Sequence, residues 1–249
     1  MTTDELVVDV SQDWASACDV QQGFMHYTAP TLDALSCGAR CRQLRVLGGD
    51  CYDFLPLPKN HLAFAIGDAS GKSLPAALMI ANVQSSLRTA ASFTGNDPAS
   101  VLDTVNRQVH ASCLADRFAT LFYGVFDAAT RTLCYANGGH IPPLVVRRDG
   151  SVVWLATAGL PLGLFPDSAY EEGTLQLHPG DTVIAYTDGV IEAENQSGEE
   201  WGVDGIRRAA VESKAKDAND LVDAIFTSLD EFSRGRQTDD ATIIAVRVH

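Results

Sequence analysis

The sequence has few basic residues for its length. Its 249 residues include 18 Lys and Arg against 32 Asp and Glu, which gives a formal net charge of −14 at pH 7. A surface this acidic repels the phosphate groups of nucleic acids and of anionic lipids. We therefore expect neither nucleic acid nor a membrane among the partners of this protein.

Long apolar runs and a secretion signal are also missing. No uninterrupted apolar stretch approaches the roughly 18–20 residues that a membrane-spanning helix needs. The first residues, MTTDELVVDV, are acidic and lack the basic segment that begins a signal peptide. These absences predict a cytoplasmic protein.

Paired cysteines are absent as well. No cysteine belongs to a C-x-x-C pair or to a Cys/His cluster with zinc-finger spacing. None precedes an arginine in the C-x₅-R arrangement that a thiolate phosphatase uses. We expect buried free thiols in a reducing compartment. The six cysteines are Cys18, Cys37, Cys41, Cys51, Cys113 and Cys134.

What the sequence does contain begins with a helical pattern over residues 5–27. Its seam positions recur at alternating steps of three and four residues, which is typical of an a/d stripe. These positions are Val7, Val10, Trp14, Ala17, Gln21 and Phe24. The helix either packs on its own domain or forms a homodimer with a second copy, and the pattern leaves both open. We predict a helical extension over residues 1–29, for regulation or dimerisation, and a main domain over residues 30–249.

The main domain alternates groups of strands with pairs of helices. Strand patterns occupy residues 35–66, and short strands separated by turn residues follow from residue 119. Ser73 and Asp97 are candidate N-caps for the first helix pair. The predicted helices span residues 74–93, 98–113, 204–214 and 217–233. This order predicts an α+β fold, a four-layer αββα sandwich of two mostly antiparallel sheets covered by helix pairs.

Aspartates stand at the ends of several apolar strands, most of them beside glycine. They are Asp50, Asp68, Asp188, Asp239 and Asp240. Carboxylates gathered at one sheet edge repel each other unless a cation neutralises them. Oxygen ligands without His or Cys suit Mg²⁺ or Mn²⁺, and two such ions can activate a shared water for attack on a phosphoester. If the fold brings them together, these aspartates predict a site for two metal ions.

A Walker A loop is an alternative interpretation of residues 67–73, GDASGKS, which follow a strand and open a helix. The loop has three residues between its glycines, where a phosphate-binding loop needs four. It would also place the Asp68 carboxylate among phosphate oxygens, which costs Coulomb energy. Nucleotide binding is therefore the weaker hypothesis.

Seven motifs together resemble one known family. They are LGGDCYDF (47–54), AIGDASGKSLPAALMIA (65–81), RFATLFYGVFD (117–127), YANGGHIPPLVV (135–146), GLPLGLF (159–165), LHPGDTVIAYTDGVIEAEN (177–195) and TDDATIIAVRV (238–248). In this order they resemble the catalytic domain of SpoIIE/RsbU-type phosphatases. These are the bacterial branch of the metal-dependent PPM (protein phosphatase 2C) serine/threonine phosphatases, whose fold is an αββα sandwich.

The resemblance implies a site for two Mn²⁺ or Mg²⁺ ions. Asp68 corresponds to the aspartate that bridges both ions, and the main-chain carbonyl of Ala69 contributes to one of them. Asp50 corresponds to a ligand of one ion, while Asp188 and Asp239 correspond to ligands of the other. Asp240, the next residue, leaves an ambiguity of one position, and Asp53 occupies a motif position without a firm role. Asp50, Asp68, Asp188 and Asp239 are the predicted catalytic residues.

Other motif positions give weaker indications of a role in catalysis or phosphate binding. The eukaryotic branch has a proposed general acid, a histidine, two residues after the bridging aspartate, where this chain has Ser70, a poor proton donor. His140 is expected to be a hydrogen-bonded structural group. On charge alone, Lys72, Arg117 and Arg45 are candidates for phosphate binding.

The resemblance further implies direct attack by metal-bound hydroxide on a phosphoserine or phosphothreonine of a protein. The implied substrate is a phosphorylated STAS-type anti-anti-sigma protein in a partner-switching pathway. In the family, a helix at the place of residues 5–27 couples dimerisation to metal binding. The alternative is a catalytically weak homologue that serves as a binding or scaffold component of the switch.

Overall fold

The computed structural model describes residues 3–25, 32–113 and 116–249. The helices within these ranges are α1 (Thr3–Met25), α2 (Leu74–Thr94), α3 (Pro98–Ser112), α4 (Asp188–Ile191), α5 (Gly202–Glu212) and α6 (Ala218–Ser233). The strands are β1 (Leu35–Arg42), β2 (Asp50–Leu57), β3 (His61–Ala69), β4 (Ala119–Asp127), β5 (Thr132–Gly138), β6 (Leu144–Val146), β7 (Val152–Trp154), β8 (Glu172–Gln176), β9 (Thr182–Tyr186) and β10 (Ala241–Val248).

The strands form two five-stranded sheets, in the orders β1-β10-β9-β6-β7 and β2-β3-β4-β5-β8. All neighbouring strands in both sheets are antiparallel. One hydrophobic cluster lies between the sheets, a second joins the β3–β4 sheet to α2 and α3, and a third joins the β9–β10 sheet to α5 and α6. The predicted αββα sandwich is thereby confirmed.

Strand β3 shows why the sequence folds into layers. Leu62, Phe64 and Ile66 belong to the cluster between the sheets, while Ala63 and Ala65 belong to the cluster beneath α2 and α3. Successive side chains of a strand point to opposite faces, so this continuous apolar run serves two cores at once. Small alanines on the helix side bring α2 and α3 close to the strand that ends at Asp68.

The predicted helices agree with the observed ones to within two residues at the ends that the structure describes. Residues 26 and 27 of the first predicted helix, and the boundary between residues 29 and 30, lie outside the described residues. Asp97 caps α3 by accepting a hydrogen bond from the Ser100 amide at 2.8 Å. Ser73 precedes α2, but its side chain makes no capping hydrogen bond, so that part of the prediction is wrong. The short helix α4 has no counterpart among the predicted elements.

The cysteines are free thiols, as expected, although only Cys37 and Cys51 are buried and the other four are partly exposed. In the described part of the chain, the helices are too short or too polar to cross a membrane.

Candidate active site

Asp50 and Asp68 come from neighbouring strands. Asp50 begins β2, Asp68 lies one residue before the end of β3, and the two are direct partners in the antiparallel pair. The Ala69 amide donates to the Gly49 carbonyl at 3.0 Å. A Cβ at Gly49 would lie 3.3 Å from Asp68 Oδ1 and 3.1 Å from the Ala69 carbonyl oxygen. Both oxygens therefore lie beside the same short stretch of backbone, where a glycine leaves room for them.

Asp188 and Asp239 come from the other sheet. Asp188 is the first residue of α4, directly after the turn that ends β9, and Asp239 lies two residues before β10. A Cβ at Gly189 would lie 3.1 Å from Asp239 Cβ and 2.0 Å from the Asp240 carbonyl oxygen. This close approach of two backbone segments holds Asp188 beside Asp239.

The four carboxylates act on one another electrostatically. Burial, together with the charges of Asp50, Asp188 and Asp239, raises the pKa of Asp68 to about 9. Burial likewise raises the pKa of Asp50 to about 7, although the hydrogen bonds from the Thr242 and Thr187 hydroxyls lower it. For Asp188, burial and then the charge of Asp239 raise the pKa. Residues from both sheets thus form one cluster that favours a bound proton or cation.

The buried carboxylate of Asp50 is held by two threonines. Oδ2 accepts hydrogen bonds from Thr187 Oγ1 at 2.8 Å and from Thr242 Oγ1 at 2.7 Å. Both threonines are fully buried, and the Thr242 amide donates to Thr187 Oγ1 at 2.9 Å. Neither threonine is among the residues predicted from the sequence. Their positions, directly before Asp188 and two residues after Asp240, were the available signal.

The neighbours Asp239 and Asp240 have different partners. Both carboxylate oxygens of Asp240 accept backbone hydrogen bonds at 2.7 Å, one from Leu44 and one from Gly49. Asp239 forms an ion pair with Lys72, with 2.6 Å between Oδ2 and Nζ. Asp240 therefore fixes the loop before β2, whereas Asp239 faces the cluster. This arrangement favours Asp239 over Asp240 as the ligand.

Three carboxylates of the cluster have partners of their own: Asp50 has two threonines, Asp188 has the Gly189 amide and Asp239 has Lys72. Among the side chains that the structure describes, no group of three or more His, Cys, Asp or Glu residues is arranged to hold a metal ion. The predicted aspartates meet at one end of the sandwich without forming such a group, and their roles as metal ligands stay predictions.

His140 is a structural residue. Its side chain is fully buried, Nε2 lies 3.2 Å from the Tyr186 carbonyl and Nδ1 lies 2.9 Å from Thr120 Oγ1. The carbonyl only accepts, so Nε2 carries the proton and Nδ1 accepts from the threonine. Burial lowers the pKa of His140 to about 4, which keeps the ring neutral. The imidazole joins β4, opposite Asp68, to the end of β9.

The neutral imidazole predicts a loss of stability in acid. Because the folded pKa of His140 is about 4 and the unfolded pKa about 6.5, its contribution is complete above pH 6.5 and falls as the pH approaches 4. We expect the wild type to lose about 1–2 kcal/mol between pH 7 and 5 relative to His140→Gln. Urea unfolding at both pH values measures this difference. Replacing the exposed His249 should leave the dependence unchanged, and equal slopes for wild type and His140→Gln would contradict the assignment.

The remaining predicted residues lie around the cluster. Ser70 Oγ accepts from the Phe118 amide at 3.1 Å. Arg45 is exposed, and Arg117 is partly buried. Asp53 is buried in an ion pair with Arg88 of α2, at 2.6 Å, and serves to join β2 to that helix.

The Walker A alternative is contradicted by the fold. Strand β3 has antiparallel neighbours on both sides, whereas a phosphate-binding loop follows a strand of a parallel sheet. The lysine of the motif, Lys72, pairs with Asp239.

Comparisons with known proteins agree with this architecture. The family profile described as Stage II sporulation protein E (SpoIIE) matches residues 58–249, a stretch that begins after Asp50. The chain is 29% identical over 240 residues to phosphoserine phosphatase RsbU of Bacillus subtilis, covering 96% of this chain and 71% of RsbU.

Two solved structures share the fold. The PP2C domain of SiaA from Pseudomonas aeruginosa superposes with a TM-score of 0.83 at 22% identity, over 99% of both chains. RsbX in complex with magnesium superposes with a TM-score of 0.66 at 17% identity, over 89% of this chain and 99% of RsbX. The chain belongs to the SpoIIE family and is a protein serine/threonine phosphatase of the SpoIIE/RsbU type, within the PPM class.

Proposed function

We propose that this chain hydrolyses phosphoserine or phosphothreonine on a protein, using two Mn²⁺ or Mg²⁺ ions. The ions would be held by Asp50, Asp68, Asp188, Asp239 and the Ala69 carbonyl. The observation that carries the proposal is the meeting of four aspartates from both sheets at one end of the sandwich.

The donor set fits a hard divalent cation. All five groups offer oxygen, and the Asp68 carboxylate and the Ala69 carbonyl lie against the same glycine. Burial, followed by repulsion from the neighbouring carboxylates, raises the pKa of Asp68. RsbX, a protein of the same fold, is described in complex with magnesium. When bound, such ions lower the pKa of water and neutralise charge on the phosphoryl group.

Neighbouring side chains orient the proposed metal ligands. Thr187 and Thr242 fix one oxygen of Asp50, and Lys72 orients Asp239. Ser70 accepts a hydrogen bond from the backbone and offers no acidic proton. Protonation of the leaving group is therefore assigned to water and not to a side chain at position 70.

The substrate that we propose is a phosphorylated STAS-type protein of a partner-switching pathway, in the cytoplasm. Its support is the similarity to RsbU, which is named a phosphoserine phosphatase, and the free thiols of the chain fit a reducing compartment.

A direct test incubates the protein with p-nitrophenyl phosphate and with phosphorylated STAS proteins, each with and without Mn²⁺. We expect metal-dependent release of phosphate from both. Asp103→Asn, which alters a partly exposed aspartate that pairs with Arg107 on α3, is the control and should retain activity. Metal binding without turnover would support the scaffold alternative and contradict the proposal.

We also propose that α1 regulates the site. Gln21 is buried, its amide Nε2 donates to the Gly48 carbonyl at 2.7 Å, and its Oε1 accepts from the Gly48 amide at 3.1 Å. Residue 48 lies two positions before Asp50. Val20 and Phe24 of the same helix remain 59% and 38% exposed, which suits a homodimer contact. A movement of α1 would thus move the loop directly before Asp50.

Gln21→Ala should lower activity at limiting Mn²⁺ about three- to tenfold, since it removes three hydrogen bonds to the loop before Asp50, two with Gly48 and one with Gln43. Titration of activity with Mn²⁺ measures the effect, which saturating metal should reduce. Gln12→Ala, at an exposed position of the same helix, should behave as wild type. An unchanged Mn²⁺ titration for Gln21→Ala would show that α1 does not act through this contact.

A further inference from the structure

Arg117 lies next to the site without being part of the carboxylate cluster. The pairing of β3 with β4 matches Asp68 with Thr120 and Ala69 with Ala119. Beyond these strands, the Ser70 amide donates to the Phe118 carbonyl at 2.8 Å. The next pair in this register is Gly71 with Arg117, three positions from Asp68, or about 10 Å along the strand. A long side chain together with a phosphate can bridge that distance.

Gly71 makes room for the Arg117 side chain. It has a φ of +97°, in the region that favours glycine, and a Cβ there would lie 2.8 Å from Arg117 Nη1. The guanidinium therefore lies against the turn that connects Asp68 to α2. Any side chain at position 71 would compete with it for this space.

No carboxylate of the described residues forms an ion pair with Arg117. It is partly buried, and the ion pairs found among the described residues do not include it. In a protein with a net charge of −14, carboxylates are plentiful, so a partly buried guanidinium without one is unusual. The other two candidate cations differ, because Lys72 is paired with Asp239 and Arg45 is exposed.

We propose that Arg117 binds the phosphoryl group of the substrate, an inference that rests on the proposed phosphatase function. Its planar guanidinium can donate two parallel hydrogen bonds to two phosphoryl oxygens. Asp68, in β3, and Arg117, two residues before β4, then face the same phosphate. Arg117 selects for a dianionic phosphoryl group and takes no part in bond cleavage.

The experiment compares Arg117→Gln and Arg117→Lys with wild type, using p-nitrophenyl phosphate and inorganic phosphate as probes. For Arg117→Gln, we expect KM and the inhibition constant of phosphate to rise about ten- to a hundredfold, the effect of losing hydrogen bonds to a charged group. Arg117→Lys keeps the charge but not the two-pronged geometry, so it should recover part of the loss. Arg45→Gln, a control with the same chemical change, should behave as wild type. Circular dichroism and Tm establish whether each variant is folded. If Arg117→Gln does not fold, the comparison of wild type with Arg117→Lys tests the inference.

Three results would overturn the assignment. KM and phosphate inhibition that do not change in Arg117→Gln would exclude a phosphoryl contact. A rise in KM for a phosphoprotein but not for p-nitrophenyl phosphate would show that Arg117 contacts the protein part of the substrate. A large effect of Arg45→Gln alone would move the role to that residue.

Failure of the proposed function is distinguishable from failure of this inference. If wild type hydrolyses neither probe, the phosphatase proposal fails. In that case, stabilisation by inorganic phosphate in the presence of Mn²⁺, measured as a rise in Tm, still tests Arg117. Stabilisation of wild type but not of Arg117→Gln supports the phosphate contact, and equal behaviour of the two refutes it.

Discussion

Replacing Asp68 by Asn is expected to abolish Mn²⁺-dependent phosphatase activity and to stabilise the metal-free protein. Asp68 pairs with Asp50 across two strands, and burial, followed by the charges of Asp50, Asp188 and Asp239, raises its pKa to about 9. At neutral pH, folding must therefore protonate this carboxyl or bury its charge beside other carboxylates, and both cost stability. An amide removes that cost at almost constant volume, so the metal-free fold becomes more stable. The same amide is a poor ligand for a hard cation, and activity should fall at least a thousandfold, to the background of the assay.

The gain in stability should be about 1–2 kcal/mol, which corresponds to a rise in Tm of roughly 2–4 °C for each kcal/mol in a domain of this size. Thermal unfolding in EDTA measures it. Asp53→Asn is the matched control, because Asp53 is buried in an ion pair with Arg88 and the same change should lower Tm. A lower Tm for Asp68→Asn in EDTA, or activity near that of wild type, would contradict this account of the cluster.

Thr242→Val is expected to weaken the apparent affinity for Mn²⁺ about ten- to a hundredfold, the usual effect of losing a group that orients a ligand. The change keeps the shape of the side chain but removes the hydroxyl that donates to Asp50 Oδ2 at 2.7 Å. That hydrogen bond lowers the pKa of Asp50, so without it a proton competes better with the metal. Activity measured against Mn²⁺ concentration gives the shift.

The same substitution at an exposed threonine is the control. Thr227 lies on α6, and its hydroxyl donates to the Asp223 carbonyl of its own helix. Thr227→Val should leave the Mn²⁺ dependence unchanged. If Thr242→Val also left it unchanged, Asp50 would not depend on this hydroxyl for its position.

Much of the architecture could be predicted from local patterns. Alternating and continuous apolar runs defined the strands, and Asp97 with Pro98 marked the start of α3. The order of strands and helix pairs then indicated a sandwich, because short connections favour antiparallel neighbours. These features depend on residues close together in the chain, which is why the sequence contains them.

The details of the site depend on contacts between distant residues. The hydrogen bonds from Thr187 and Thr242 to Asp50 join residues that are 137 and 192 positions apart in the chain. A periodic pattern of residues cannot indicate such a contact. The different partners of Asp239 and Asp240 also appear only in the fold, where Asp240 meets the loop before β2 and Asp239 meets the turn between β3 and α2. Ser73 has the residue type of an N-cap, but its positive φ directs the side chain elsewhere.

The most direct test of the central claim is the position of Mn²⁺ in a crystal of this protein, located by anomalous scattering. We expect two peaks, both within about 2.5 Å of oxygen atoms from the set Asp50, Asp68, Asp188, Asp239 and the Ala69 carbonyl. Manganese bound elsewhere, in crystals of protein that hydrolyses phosphoester in the same buffer, would contradict the claim.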